Sequence, residues 1–298
     1  MDLDADGRRD VLSGSYMPGH IYWFRNEGEG RYVSRRLVDV GDRPIHAGDS
    51  SVEPDENKPD LDGLAAAVWA VDWDADGDLD LLVGNIVGRV VLIRNEGDAK
   101  TPRFGTAREP LKAGDEVIEV HSDAGPTMAD WDGDGKVDLL VGGGDGGLRF
   151  YRNLAERGFR FAAAVDLIAP SASNEADEAE PAEKSGEPKR PGTRLKPHVV
   201  DWNLDGKLDL LVGDFRTRLA GKLHLTDEQV ARRDALREQQ QKLFAELDEI
   251  SQASGEDEAA VQKRVLAILE KLEPIDAALA ELEPQPIPSG NVWLYLRK

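Results

Sequence analysis

The chain has no cysteine among its 298 residues, which excludes disulfides, thiolate metal ligands and thiol nucleophiles. It has no run of 18 apolar residues and no secretory h-region, so neither a helical membrane span nor a signal peptide is expected in it. Basic residues are outnumbered 37 to 58 by acidic ones, and no basic patch offsets the formal charge of −21, which argues against nucleic acid as a partner. There is no nucleophile elbow, zinc motif or phosphate loop, so no catalytic residue is named. Aromatics are only 6% of the chain, whereas 30 glycines imply many tight turns rather than an all-helical protein. A hydrophobic content of 40% is enough for a core, in one large domain or two ordinary ones.

What the chain does contain is one acidic nonapeptide written four times, at residues 2–10, 72–80, 130–138 and 201–209. Each copy places side-chain oxygens at positions 1, 3, 5 and 9, with glycine at position 6. The side-chain ligands are then Asp2, Asp4, Asp6 and Asp10; Asp72, Asp74, Asp76 and Asp80; Asp130, Asp132, Asp134 and Asp138; and Asp201, Asn203, Asp205 and Asp209. The position-7 carbonyls of Arg8, Asp78, Lys136 and Lys207 would each add a main-chain ligand. Hard cations such as Ca²⁺ take six to eight oxygens on a flexible loop, and alternate acids before a sharp glycine turn supply them. Up to four Ca²⁺ are therefore expected, which would bring the net charge to about −13. An EF-hand is excluded because position 12 is Ser13, Val83, Val141 or Val212 rather than a bidentate glutamate. Without a cation, four such clusters would repel themselves.

The spacing of 70, 58 and 71 residues exceeds that of solenoid repeats and suits a four-stranded β-propeller blade with loop insertions. In the third copy a strand A over 126–131 runs into the loop, and a continuous apolar strand B over 137–142 leaves it. Strand C is expected at 148–153 and strand D at 159–165. The second copy reads as strands at 66–73, 79–84, 89–95 and 104–111. The first lacks strand A and offers strands at 10–13, 20–26 and 32–38. The fourth has strands at 197–202 and 208–213, then a strand C at 290–297, but no strand D. The expected fold is thus an all-β propeller with four blades visible, the first and last incomplete, over 1–225 and 284–298.

Between strands B and C of the fourth copy, residues 226–283 read as an inserted antiparallel helical hairpin. Thr226 is an N-cap residue followed by acids, and Leu236, Leu243, Leu247 and Ile250 form one stripe. In the second helix Val261, Val265, Ile268, Leu272, Ile275, Leu279 and Leu282 alternate by 4 and 3, as in a coiled-coil seam, with Pro274 expected to kink it. Residues 50–60 and the acidic loop 171–192 carry little to bury and are expected to be disordered.

The acidic loop followed by Leu-Asp-Leu-Leu-Val-Gly resembles the FG-GAP/VCBS repeat of integrin-alpha-like calcium-binding β-propellers, where each blade holds one calcium in its A–B loop. The resemblance covers the chain apart from the hairpin and the two acidic insertions. Leu3 in place of the tryptophan and Asn203 in place of an aspartate depart from the pattern. The resemblance implies an extracellular, periplasmic or cell-surface protein, acting in adhesion or binding; some related propellers belong to carbohydrate-active enzymes. The missing strand A implies an N-terminally truncated sequence, whose absent segment would carry further blades, a signal peptide and the strand that completes the ring.

Alternating strand directions place the A–B and C–D loops on one face and all three insertions on the other. The calcium is therefore expected to be structural, with partners meeting the opposite face. The leading reading is a non-enzymatic scaffold for a protein or glycan, with the hairpin as docking arm. The rival is a carbohydrate-active lyase or hydrolase sited on the insertion face. His46, His121 and His198 are expected to be polar junction residues there, and Trp73, Trp131 and Trp202 to pack the blades.

Overall fold

The computed structural model describes residues 1–51, 61–171, 180–181, 189–219, 225–252, 258–283 and 286–298. The readings over 50–60 and 171–192, and the turn between the helices, lie mostly outside these. The described chain is mostly β-sheet with two helices. It divides into two compact units, Met1–Glu178 with Lys189–Arg216 and Gly290–Lys298, and Ala179–Pro188 with Thr217–Ser289.

The first unit repeats one antiparallel motif. Sheet 1 joins β1 (Val11–Gly14), β2 (Ile21–Gly28) and β3 (Arg31–Arg36). Sheet 2 joins β4 (Ala67–Val71), β5 (Asp80–Gly84), β6 (Val90–Ile93) and β7 (Glu109–Pro110). A small hairpin of β8 (Lys112–Ala113) and β9 (Glu116–Val117) follows, which the sequence did not announce. Sheet 3 joins β10 (Gly125–Ala129), β11 (Asp138–Gly142), β12 (Leu148–Tyr151) and β13 (Val165–Ile168). After β14 (Glu180–Pro181), β15 (Thr193–Val200) pairs with β16 (Asp209–Leu219), which also pairs with β18 (Val292–Tyr295) to make sheet 4.

Two outer strands differ from the expectation. The fourth strand of sheet 3 is Val165–Ile168, not 159–165, and that of sheet 2 is only Glu109–Pro110. The aromatic residues that marked them, Phe161 and Phe104, instead make single bridges, to Asn153 and Ala113 and to Asn95 and Asp39. Their rings are buried between sheets, so core packing drew them out of the ladder.

The core consists of layers between consecutive sheets. Leu81 and Val83 pack with Ile21, Trp23 and Phe104 toward sheet 1, while Leu82 packs with Leu139 and Val141 toward sheet 3. Leu140 turns the other way, to Leu195, Leu210 and Val212 of sheet 4. This explains why strand B of sheets 2 and 3 is apolar after its aspartate: its two faces are both buried. Each such side chain removed from water contributes roughly 1.5–3 kcal/mol.

In sheets 1 to 3 strand B ends in glycine because the next sheet comes very close. A Cβ on Gly14 would lie 2.0 Å from the Ala66 carbonyl oxygen, and on Gly84 2.2 Å from that of Ala124. On Gly142 it would lie 2.2 Å from the Leu195 carbonyl oxygen. The sheets therefore touch in chain order, through β1 and β4, β4 and β10, and β10 and β15.

In the second unit, α1 (Asp227–Gln252) and α2 (Glu258–Leu282) pack antiparallel, with Arg237 bonded to Glu283 and Gln240 to Asp276. Thr226 and Gln229 form a reciprocal cap, side chain to backbone in both directions. Ile268 and Leu272 are buried against Leu243, Leu247 and Val265, and Pro274 lies within α2. Arg218 and Leu219 at the end of β16 pair in parallel with β14, and β17 (Pro286–Ser289) also pairs with β16.

Candidate metal centre

Each acidic loop folds by bonding its own carboxylates to its own backbone. In loop 1 the Asp2 carboxylate accepts the N–H groups of Asp6 at 3.1 Å and Gly7 at 2.8 Å. Asp72 and Asp201 do the same for Asp76 and Gly77, and for Asp205 and Gly206. Asp130 accepts from Gly133 and Gly135 instead. The position-5 carboxylate accepts the position-7 N–H in all four, at 2.9–3.0 Å. These turns need a left-handed backbone at position 6, met by Gly7, Gly77, Gly135 and Gly206 with φ of 86°, 96°, 85° and 84°.

The ninth aspartate has a second task. Asp10, Asp80, Asp138 and Asp209 are buried, and one oxygen of each accepts the N–H of loop position 2 at 3.0–3.1 Å. The other oxygen accepts the N–H that ends strand C, from Asn26, Asn95, Asn153 and Arg297, at 2.7–2.8 Å. This one carboxylate joins the start of the acidic loop to strand B and strand C in every sheet. Each of these oxygens retains a second lone pair with which to ligate an ion, except Asp138 Oδ2, which also accepts the Asp132 N–H at 3.4 Å.

Carboxylates converge in three of the loops. Ligand oxygens of Asp2, Asp4 and Asp6, of Asp72, Asp74 and Asp76, and of Asp130, Asp132 and Asp138 lie within 4.8 Å of one another. Asp134 stands beside the third group, on Arg152. In the fourth loop Asn203 replaces the carboxylate at position 3, and its amide donates to Asp205 at 3.1 Å. Two buried oxygens, Asp4 Oδ1 and Asp78 Oδ1, have no hydrogen-bond partner among the described residues. An all-oxygen donor set with unpartnered buried lone pairs fits a hard divalent cation such as Ca²⁺.

Residues 130–212, which run from loop 3 to strand B of sheet 4, match the family model described as FG-GAP-like repeat. This stretch of the chain thus carries an FG-GAP-like repeat. No curated protein matches it.

Sequence reasoning missed the arginines that meet the acidic loops. Arg25 lies 2.5 Å from Asp4 and 3.0 Å from Asp6, and Arg152 lies 2.6 Å from Asp132 and 2.9 Å from Asp134. Arg94 lies 2.9 Å from Asp74. Each precedes the asparagine whose N–H meets the ninth aspartate, so the signal was the Arg-Asn pair closing strand C. The corresponding residue in sheet 4 is Leu296, which is exposed. Asp78 was also missed as a side chain. Its carboxyl is pushed up to about 6 by burial and by Asp76, Asp80, Asp74 and Asp72. Burial likewise raises Asp80 and Asp138, against the N–H groups that hold them.

The other candidates fall into place separately. Trp73 stacks on Phe159 at 4.3 Å, and Trp131 packs into the layer between sheets 3 and 4, whereas Trp202 is 58% exposed. His46 is buried, and His198 lies beside the Trp69 ring at 5.7 Å. His20, which no sequence motif marks, is buried, and its Nε2 has no hydrogen-bond partner among the described residues. Among the described residues no helix is long and apolar enough to cross a membrane.

Proposed function

We propose that this chain is a calcium-stapled, propeller-like scaffold that binds a protein or glycan outside the cell. The observation that carries the metal half is the carboxylate triad gathered in loops 1, 2 and 3, with Asp4 Oδ1 buried and unpartnered. The face-to-face stacking of sheets 1 to 4 in chain order supports a propeller-like arrangement of FG-GAP-like repeats. Asp2, Asp4, Asp6 and Asp10 would hold the ion in loop 1, and their counterparts in the other loops. Bound there, Ca²⁺ would supply the positive charge that the clustered acids require. The chain's own part is to pre-fold the loop and tie it to strand C through the ninth aspartate.

Such a role suits millimolar extracellular calcium, where modules of modest affinity are filled. The helical hairpin, which enters the chain between β16 and β18, serves in this reading as the docking arm. The primary test is thermal unfolding in 10 mM Ca²⁺, 10 mM Mg²⁺ and EDTA. Calcium should raise Tm over EDTA by about 5 °C or more. An identical Tm in all three would overturn the structural-calcium reading. A glycan array and a protein pull-down, run with and without residues 226–283, test the binding half, and a blank in both would overturn it.

A further inference from the structure

The four loops differ most at position 7. In sheet 1 the Arg8 side chain reaches from the loop to the turn after strand C, where its Nε donates to the Asn26 carbonyl at 2.7 Å. In sheet 3 Lys136 reaches the corresponding turn and lies 3.3 Å from Glu156. Both sheets thus carry their own cation between loop and turn. Sheet 2 has Asp78 at that position. Its side chain is only 5% exposed, and its Oδ1 has no hydrogen-bond partner among the described residues. It opens on a cleft of about 400 Å³ lined also by Asp76, Gly77, Gly97, Asp98 and Lys100.

The charge balance points the same way. The nine residues of loop 2 hold five carboxylates and no base. Loop 1 holds four with two arginines, loop 3 four with one lysine, and loop 4 three with one lysine. Arg94, the strand-C arginine of sheet 2, meets Asp74 of the loop and is shared with Glu109 outside it at 3.7 Å, so it gives loop 2 no more than Arg25 and Arg152 give theirs. Lys100 is the one further base in the cleft, and Asp98 across from it is already bonded to the N–H groups of Lys100 and Thr101 and to the Thr101 hydroxyl.

We infer that loop 2 is the tight cation site of the chain, because Asp78 adds a buried carboxylate where loops 1, 3 and 4 place a base. The inference rests on the calcium reading and ranks the loops within it. A carboxylate in place of an ammonium changes the charge beside the Asp72, Asp74 and Asp76 group by two, which is worth at least about tenfold in affinity for a divalent ion. Loops 1 and 3 are partly neutralised by their own side chains and fill later. Lys100 competes with the incoming ion and moderates the difference.

The test is calorimetric titration of the full chain with Ca²⁺ at low ionic strength, for wild type, Asp78→Lys, Asp78→Asn and Lys136→Asp. Wild type should show one equivalent bound about tenfold or more tighter than the rest. Asp78→Lys should lose that phase and keep the weaker ones, and Asp78→Asn should weaken it without a change in circular dichroism. Lys136→Asp should create a second tight equivalent, which no folding defect can imitate. Calcium binding without a tight phase, or a tight phase surviving in Asp78→Lys, would overturn this ranking alone. A chain that binds no Ca²⁺ and shows no Ca²⁺-dependent Tm would overturn the calcium reading and the ranking with it.

Discussion

Strand B of sheet 3 and strand B of sheet 4 are written almost identically, yet they meet different surroundings. Leu139 and Val141 of β11 press on sheet 2 while Leu140 presses on sheet 4. In β16 Leu210 and Val212 press on sheet 3, but Leu211 remains partly exposed. The terminal glycines diverge in the same way. A Cβ on Gly142 would collide with the Leu195 backbone, whereas on Gly213 the nearest atom would be the Lys196 carbonyl oxygen at 3.8 Å. The loop before each strand folds the same way in both, through Asp130 and Asp138 or Asp201 and Asp209. The nonapeptide thus encodes a local fold, and the strand after it encodes a neighbour on each face.

The largest effect that would sharpen this comparison comes from alanine at those glycines. Gly84→Ala and Gly142→Ala place a methyl group against fixed backbone and should each cost about 3 kcal/mol or more. Gly213→Ala should cost less than about 1 kcal/mol, because only an ordinary contact forms. Urea midpoints of the three variants measure the difference. Equal losses would break the comparison, since they would mean that Gly213 too faces a close neighbour.

The next effect concerns sheet 1, which differs from sheet 3 where strand C begins. The closing bond of the B–C turn runs to the carbonyl of His20 in sheet 1, Arg89 in sheet 2 and Gly147 in sheet 3. Only His20 buries an imidazole there. Burial lowers its pKa to about 4, helped by Arg36 and His46. A histidine held neutral in the fold but free to protonate near 6.5 when unfolded gives stability that is complete above that value. That stability should drain away as pH falls from about 6.5 to 4, by about 2–3 kcal/mol. His20→Gln should flatten this part of the pH profile in chemical denaturation. A wild-type profile already flat between pH 6.5 and 4 would show that His20 is no acid-sensitive point.

These contrasts also mark how far the sequence could be read. The alternate acids, the glycine at position 6 and the apolar strand after it are contiguous, so the loops, strands and repeat count were visible directly. The helix cap at Thr226 was visible for the same reason, since Gln229 lies one turn away. The partners of the loop were not contiguous. Arg25, Arg94 and Arg152 lie about 20 residues from the carboxylates they meet, and only the pairing of strand B with strand C brings them there. The ninth aspartate read as a ligand because its spacing fitted one, while its two backbone bonds depend on where strand C ends. The outer strands were misplaced because Phe104 and Phe161, β-formers both, are claimed by the core.

Loop position 4 was the least legible feature, since its four residues share no chemistry. Ala5, Ala75, Gly133 and Leu204 all have left-handed backbones, with φ of 49°, 62°, 79° and 61°. Only sheet 3 meets that demand with glycine, whereas sheet 4 meets it with a leucine that is 86% exposed. A β-carbon in this region costs about 1 kcal/mol, and asparagine tolerates it better than leucine. Glycine would relieve the strain but would also loosen the unfolded chain, cancelling much of the gain. Leu204→Asn should therefore stabilise by about 0.5 kcal/mol, read as a small rise in urea midpoint, and Leu204→Gly by less. Gly133→Ala should cost about as much as Leu204→Asn gains, because it gives loop 3 the strain that loops 1 and 2 already carry. If Leu204→Asn instead lowered stability, the exposed leucine would be making a contact that sheet 4 does not share with sheet 3, and the local equivalence of the two loops would fail.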